Sequence, residues 1–354
     1  MEYIMLAFIT VGVIVLSFVL AAVFKHKFIA KKKCLLGRHV IITGGSSGIG
    51  KCIALEAAKI GANVTIVARN ENRLRSTLKE IKGQCLNNNQ KFNYLSVDLA
   101  GDYSMVEKTF NNAIEDMGPL YLFINCAGMA LCGTLEDIST DDIMQMINTN
   151  LISTIQATKA IVNKMKQNGY GSIVITSSLA SFCGIYGLSV YCATKFALRG
   201  FAEALSMETK NFGVKVTLAL PPDTDTPGYA NETKNKPLET LLISETAKLF
   251  TPEEVGNKIL QDALDGQFFS TVGFEGHMMT TSCAGMAPYT SYLELIYQVK
   301  YNCQPQNFLI ICYEFQVFGA GILRLITVYY LTIFDKIIKK CKLDRENVKN
   351  NKTL

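Results

Sequence analysis

The 354-residue chain contains no tryptophan, three histidines and eight prolines, and only 18% of its residues are charged. Its eleven cysteines are scattered, without C-x-x-C or Cys/His spacing, which argues against a zinc site. An odd set of unpaired thiols fits a reducing surrounding better than a disulfide framework. No arginine stripe with interleaved aromatics occurs and the net charge is only +5, so nucleic acid is not an expected partner. No internal repeat or low-complexity stretch is present.

Charge is scarcest near the two ends. Residues 3–24 carry no charged side chain, long enough to cross a bilayer's hydrocarbon core. Lys25, Lys27 and Lys31 to Lys33 follow at once, which places that flank on the cytosolic side. A cleaved signal peptide has a basic start and a shorter apolar core, so the expectation is a retained anchor over residues 1–24 and a basic linker over 25–37. A second apolar run, 308–334, is interrupted by Glu314 and Arg324 and closed by Lys336, Lys339, Lys340 and Lys342. Two charges make a simple span costly. A helix lying in the interface, a re-entrant hairpin, or a cover over the mouth of a lipid-binding site remain open. Residues 273–307 form a membrane-proximal segment and 335–354 a basic cytosolic tail.

Between these ends, over 38–272, strand-like runs alternate with amphipathic helical stretches, the pattern of a parallel sheet covered on both faces. Strands are expected at 39–43, 63–68, 92–97, 120–125, 172–176 and 215–220, with an edge strand at 268–272. Helices are expected at 48–60, 72–81, 103–117, 141–166 and 190–210. The fold class is a doubly wound α/β, Rossmann-type domain.

The first strand runs into Thr43-Gly44-Gly45-Ser46-Ser47-Gly48-Ile49-Gly50. Glycines between a strand and a helix let backbone approach a pyrophosphate at the helix N-terminus. The spacing departs from G-x-G-x-x-G, and its strength comes from its place after a first strand. Where NAD-binding folds often carry an acid at the end of the second strand, this chain has Arg69, with Arg73 one turn on. A guanidinium there suits a ribose phosphate, so NADPH is the expected cofactor. Asp98, with Leu99, ends the third strand and is placed to reach the adenine; a turn or capping role for Asp98 is the alternative. Asn125-Cys126-Ala127-Gly128 ends the fourth strand with small residues that let backbone lie near the cofactor. Asn150 lies amid apolar neighbours and needs buried partners; it is either structural or part of a water relay to Lys195.

Tyr191 and Lys195 stand at i and i+4 and so share a helix face. A nearby ammonium favours the phenolate and is expected to pull the phenol's pKa down toward useful general acid–base range. Ser178 upstream, with Ser177 adjacent, supplies a hydroxyl for the oxygen that exchanges the proton. Alone, the Tyr-x-x-x-Lys match is common.

Thr-Gly-x-x-x-Gly-Ile-Gly, Asn-Cys-Ala-Gly, Asn150, Ser178 and Tyr191-x-x-x-Lys195 occur together in the order and spacing of the short-chain dehydrogenase/reductases, which this chain resembles over residues 38–272. The resemblance implies that Tyr191 is the acid–base, that Lys195 lowers its pKa and binds the nicotinamide ribose, that Ser178 polarises the carbonyl, and that Asn150 supports a proton relay. The family's Pro-Gly after the sixth strand is here Pro221-Pro222, which removes an amide donor. Thr226 is then the carboxamide partner, with Pro221 and Thr224 also at the cofactor.

Further motifs, including VARNE, PPDTDTPG and CAGMAP, are similar to those of the membrane-bound ketoreductases of sphingoid-base synthesis. That likeness implies reduction of a long-chain sphingoid ketone at the cytosolic face of the endoplasmic reticulum membrane, with residues 237–250 as a lid. A membrane-bound steroid or retinoid dehydrogenase shares the same catalytic residues. A silent NADP-binding scaffold is the non-enzymatic reading. Oligomeric state is left open, a homo-oligomer among the options.

Overall fold

In the computed structural model, residues 34–282 and scattered positions between 333 and 344 are described. Seven strands form one sheet in the order β3-β2-β1-β4-β5-β6-β7. They are β1 (His39–Thr43), β2 (Asn63–Ala68), β3 (Phe92–Ser96), β4 (Leu120–Asn125), β5 (Gly171–Thr176), β6 (Val214–Ala219) and β7 (Phe269–Ser270). Every pairing is parallel.

A parallel sheet is covered on both faces, and β1 follows from that rule: all five of its residues are buried. Val40 and Ile42 enter one apolar cluster, with Ile53, Leu122 and Leu260. Ile41 points the other way, into a cluster with Phe110, Phe123 and Leu198. The two-residue strand period separates the cores. The first is closed by α1 (Gly48–Lys59), α2 (Glu71–Lys82) and α9 (Pro252–Asp265). The second is closed by α3 (Tyr103–Met117), α5 (Ser153–Asn168) and α6 (Ser189–Thr209). Phe110 packs edge-on against Phe123 at 5.7 Å, both fully buried, a contact whose truncation costs about 3–5 kcal/mol.

The single long helix expected at 141–166 is instead three pieces. α4 (Thr140–Met146) passes into a π-helical turn, Ile147–Ile152, and then into α5. Wide turns of this kind recur at functional sites, and Asn150 lies inside this one. The short helix α7 (Pro227–Thr233) precedes the lid stretch of 237–250, which itself forms α8 (Leu238–Ser244), and the described body ends on α10 (Gly273–Ser282). The order reverses between β1 and β4, and ligands of such sheets bind beyond the strand C-termini at that point. The expected anchor at 1–24 lies outside the described residues, as does nearly all of the run at 308–334. No helix among the described residues is long and apolar enough to cross a membrane.

Candidate active site

A cleft of about 260 Å³ opens over the C-terminal ends of β1, β4, β5 and β6. One wall is the turn from β1 into α1. Gly44 has φ +65° and a Cβ there would lie 2.8 Å from the Ala127 nitrogen; Gly48 has φ +53°. A Cβ on Gly50 would lie 2.5 Å from the Gly44 carbonyl oxygen, so the turn closes only with glycine. Ser47 takes the N-cap position of α1 but its side chain makes no capping bond, and the first turn holds no acid. The helix therefore offers unmet amides and its positive end to the cleft. These features fit a dinucleotide's pyrophosphate.

Thr43 holds this wall to its neighbour. Its buried hydroxyl accepts from the amides of Cys126, at 3.1 Å, and Ala127, at 3.2 Å, fixing the end of β4 beside β1. Asn125 is buried and its Nδ2 donates to Thr158 at 3.0 Å, away from the cleft. Ala127, Gly128, Ser47 and Ile49 line the cleft, whereas Ser46 does not; its carbonyl accepts from Thr77 at 3.1 Å.

At the floor, Tyr191 and Lys195 face the cleft from one side of α6. Ser178 lines the cleft beside the Tyr191 phenol, accepts from the Ala180 amide at 3.2 Å and donates to the Pro221 carbonyl at 3.4 Å. Its neighbour is committed elsewhere, since the Ser177 hydroxyl donates to the Lys195 carbonyl at 2.8 Å. The two serines are thus separated by geometry: Ser178 lines the cleft, and Ser177 buttresses α6. Lys195 is buried and its ammonium donates to the Thr176 carbonyl at 3.1 Å.

Asn150 is fully buried, and its carboxamide accepts from the Met129 amide at 2.8 Å while donating to the Met129 carbonyl at 2.9 Å and to Thr194 at 3.1 Å. It holds the chain after Gly128 against α6. Thr226 caps α7, accepting from the Tyr229 amide at 3.1 Å, and Thr224 donates to the Pro222 carbonyl at 2.8 Å. Both, with Pro221, line the cleft.

Arg69 and Asp98 lie apart from this cleft, in a second depression beside α4. Asp98 accepts from the Ala100 amide, while Asp102 caps α3. Neither Arg69 nor Arg73 forms an ion pair with any described residue. Arg73 lines neither depression, and the Leu99 side chain is buried in the core.

Three comparisons bear on this arrangement. Residues 38–237 match the family described as short chain dehydrogenase. This chain belongs to the short-chain dehydrogenase family. It is 42% identical over 315 residues to a 3-ketodihydrosphingosine reductase of Bos taurus, covering 89% of this chain and 90% of that one. It is 40% identical over 342 residues to a 3-dehydrosphinganine reductase of Danio rerio, covering 96% and 98%. A short chain dehydrogenase from Mycobacterium paratuberculosis, solved bound to NAD, shares the fold with a TM-score of 0.58 at 21% identity, over 65% of this chain and 92% of that one. As a family member this chain is an oxidoreductase working with a nicotinamide cofactor, and the glycine wall with its uncapped helix has the shape and polarity to receive a dinucleotide.

The electrostatics of this dehydrogenase differ from the sequence expectation in one respect. The Tyr191 phenol is held above its ordinary range, first by burial and then by the Glu232 carboxylate, with the neighbouring Ser178 hydroxyl opposing. The Lys195 ammonium does not pull it down: it sits 5.5 Å from the phenol ring centre and is engaged by Thr176. Burial brings Lys195 itself down to about 8. Asp223, Tyr229 and Glu232 also line the cleft; Asp223 falls within the PPDTDTPG motif without being expected at the site, and Tyr229 and Glu232 lie beyond it. Glu232 lies outside the motifs read from the sequence, and it is the position of α7 beside the cleft that reveals it.

Proposed function

We propose that this dehydrogenase reduces the keto group of 3-ketodihydrosphingosine to dihydrosphingosine with NADPH. Carrying this reading is the joint presence of the Ser178–Tyr191–Lys195 floor and 40–42% identity to reductases of that name over most of the chain. When bound, the nicotinamide supplies the hydride that adds to the carbonyl carbon. Tyr191 donates its phenolic proton to the carbonyl oxygen, so that C=O becomes CH–OH and the phenol becomes phenolate. Ser178, fixed by Pro221 and Ala180, holds that oxygen at the phenol. Lys195, held at the cleft floor by the Thr176 carbonyl, would bind the nicotinamide ribose. Asn150 acts through position, keeping Gly128 and Met129 against α6; a water relay past it to Lys195 would restore the proton.

Preference for NADPH rests on Arg69 and Arg73, two guanidiniums free of acidic partners beyond β2, where a ribose phosphate would meet them. An amphiphilic ketone that stays in the bilayer suits an enzyme tethered by residues 1–24 with its catalytic body in the cytosol, at the endoplasmic reticulum. The Pro237 region, folded as α8 and tied to the body where Thr240 donates to the Tyr186 carbonyl at 2.8 Å, serves as the substrate cover.

The test is NADPH oxidation by the purified chain with 3-ketodihydrosphingosine, 3-ketosteroids and retinal offered in parallel. Turnover of the sphingoid ketone above the others is expected. Inertness toward it alongside reduction of a steroid or retinoid would overturn the assignment.

A further inference from the structure

Asp223, Glu232 and Lys236 form a mixed-charge group beside the catalytic phenol that the proton-transfer machinery does not use. Asp223 comes from the loop after β6 and Glu232 from α7, and both line the same cleft as Tyr191 and Ser178. Lys236, whose side chain is 1% exposed, lies 3.0 Å from Glu232, whose side chain is 15% exposed. The Lys236 ammonium also donates to the Ser244 hydroxyl at 3.1 Å and sits 4.3 Å over the Tyr229 ring. A lysine held on three sides cannot swing into the cleft; it pairs with Glu232 and fixes that carboxylate, and Asp223 is left without an ion pair among the described residues.

The charges do not balance. Two carboxylates face one ammonium, and the cleft's other cation, Lys195, is held at the floor by Thr176. Cys132 and Tyr229, the remaining titratable groups around Glu232, are held above their ordinary values and stay neutral at pH 7. A half-buried negative charge without a partner is costly, which suits a cation supplied from outside.

We propose that Glu232 and Asp223 seat the ammonium group of the substrate, with Lys236 fixing Glu232 in position. This rests on the amino-ketone reading above. In such a ketone the amine-bearing carbon is bonded to the carbonyl carbon, so a carbonyl at Tyr191 brings its ammonium to this wall. Steroids and retinoids present no cation there. Glu232 is also the charge that raises the phenol, after burial. A bound ammonium would offset that effect and make Tyr191 the readier proton donor, linking recognition of the amine to the chemistry.

The experiment compares kcat/KM of the full-length enzyme, with NADPH, for 3-ketodihydrosphingosine and for the same ketone with hydrogen in place of the amine. Wild type is expected to prefer the amino ketone. Glu232→Gln should reduce that preference by about tenfold to a hundredfold, mainly through KM, and Asp223→Asn should reduce it in the same direction by less. NADPH binding by each variant reports folding. If Glu232→Gln fails to fold, the Asp223→Asn preference decides. An unchanged preference in the folded variants overturns the ammonium seat while leaving the proposed reaction standing. A wild-type enzyme inert to the amino ketone overturns the reaction and the seat together.

Discussion

The two walls of the cleft are built on opposite plans. The β1–α1 wall presents backbone: glycines that nothing larger can replace and helix amides that no side chain caps. The wall from Pro221 to Lys236 presents side chains, two carboxylates and a lysine carried on α7 and the loops that flank it. Backbone donors recognise a pyrophosphate whatever is attached to it. Charged side chains recognise one substrate and reject another. The difference teaches that the shared part of the reaction is written in main-chain geometry and the particular part in side-chain charge.

The sharpest break should come at the floor between the walls. Tyr191→Phe removes the proton donor and is expected to lower kcat by about 10²–10⁴-fold with NADPH affinity retained. A variant turning over near the wild-type rate would remove Tyr191 from the chemistry.

Next in size is the backbone wall. Gly44→Ala combines a positive φ with a Cβ 2.8 Å from the Ala127 nitrogen. It should cost at least about 1–2 kcal/mol, read as a lower melting temperature together with weaker dinucleotide binding. If both stay at wild-type values, the wall is more tolerant than its geometry allows.

His39 tests the strand that carries this wall. It is buried, with Nδ1 at 3.0 Å from the Gly118 carbonyl oxygen and Nε2 at 2.9 Å from the Thr65 hydroxyl, and burial lowers its pKa to about 4. Between the unfolded value near 6.5 and about 4, the unfolded chain binds a proton that the folded one does not. Stability from this group is therefore lost as pH falls through that window, on the order of 3 kcal/mol in all. Chemical denaturation of wild type and His39→Gln across pH 4 to 7 should give a flatter dependence in the variant; parallel curves would assign the loss to other groups.

The smallest effect is expected outside both walls. Arg69→Ala should reduce the preference for NADPH over NADH by roughly tenfold, about 1.4 kcal/mol, since an exposed guanidinium is partly screened by water. Equal losses for the two cofactors would refute the phosphate role.

Much of the scaffold was legible because it is periodic. Strands β1, β2 and β4 and helix α3 fall on the residues that alternation and capping predict, since one face or both must be buried. The π-helical turn at Ile147–Ile152 was not legible: Met146, Ile147 and Leu151 continue a helical period on either side, and only the reach of Asn150 to Met129 and Thr194 accounts for the wider turn. Ser177 and Ser178 could not be separated by sequence, because adjacent residues have the same composition and nearly the same spacing. The hydrogen bond of Ser177 to the Lys195 carbonyl separates them.

From its sequence alone this chain is committed to a parallel sheet, a glycine turn for a dinucleotide, and a tyrosine and lysine on one helix face, because periodicity and i, i+4 spacing are local properties. Tertiary structure decided the charge around the phenol. Glu232 lies far along the chain from Tyr191, and Lys195 spends its ammonium on a strand carbonyl. Electrostatic influence follows distance through space and depth from solvent, neither of which a linear order of residues contains.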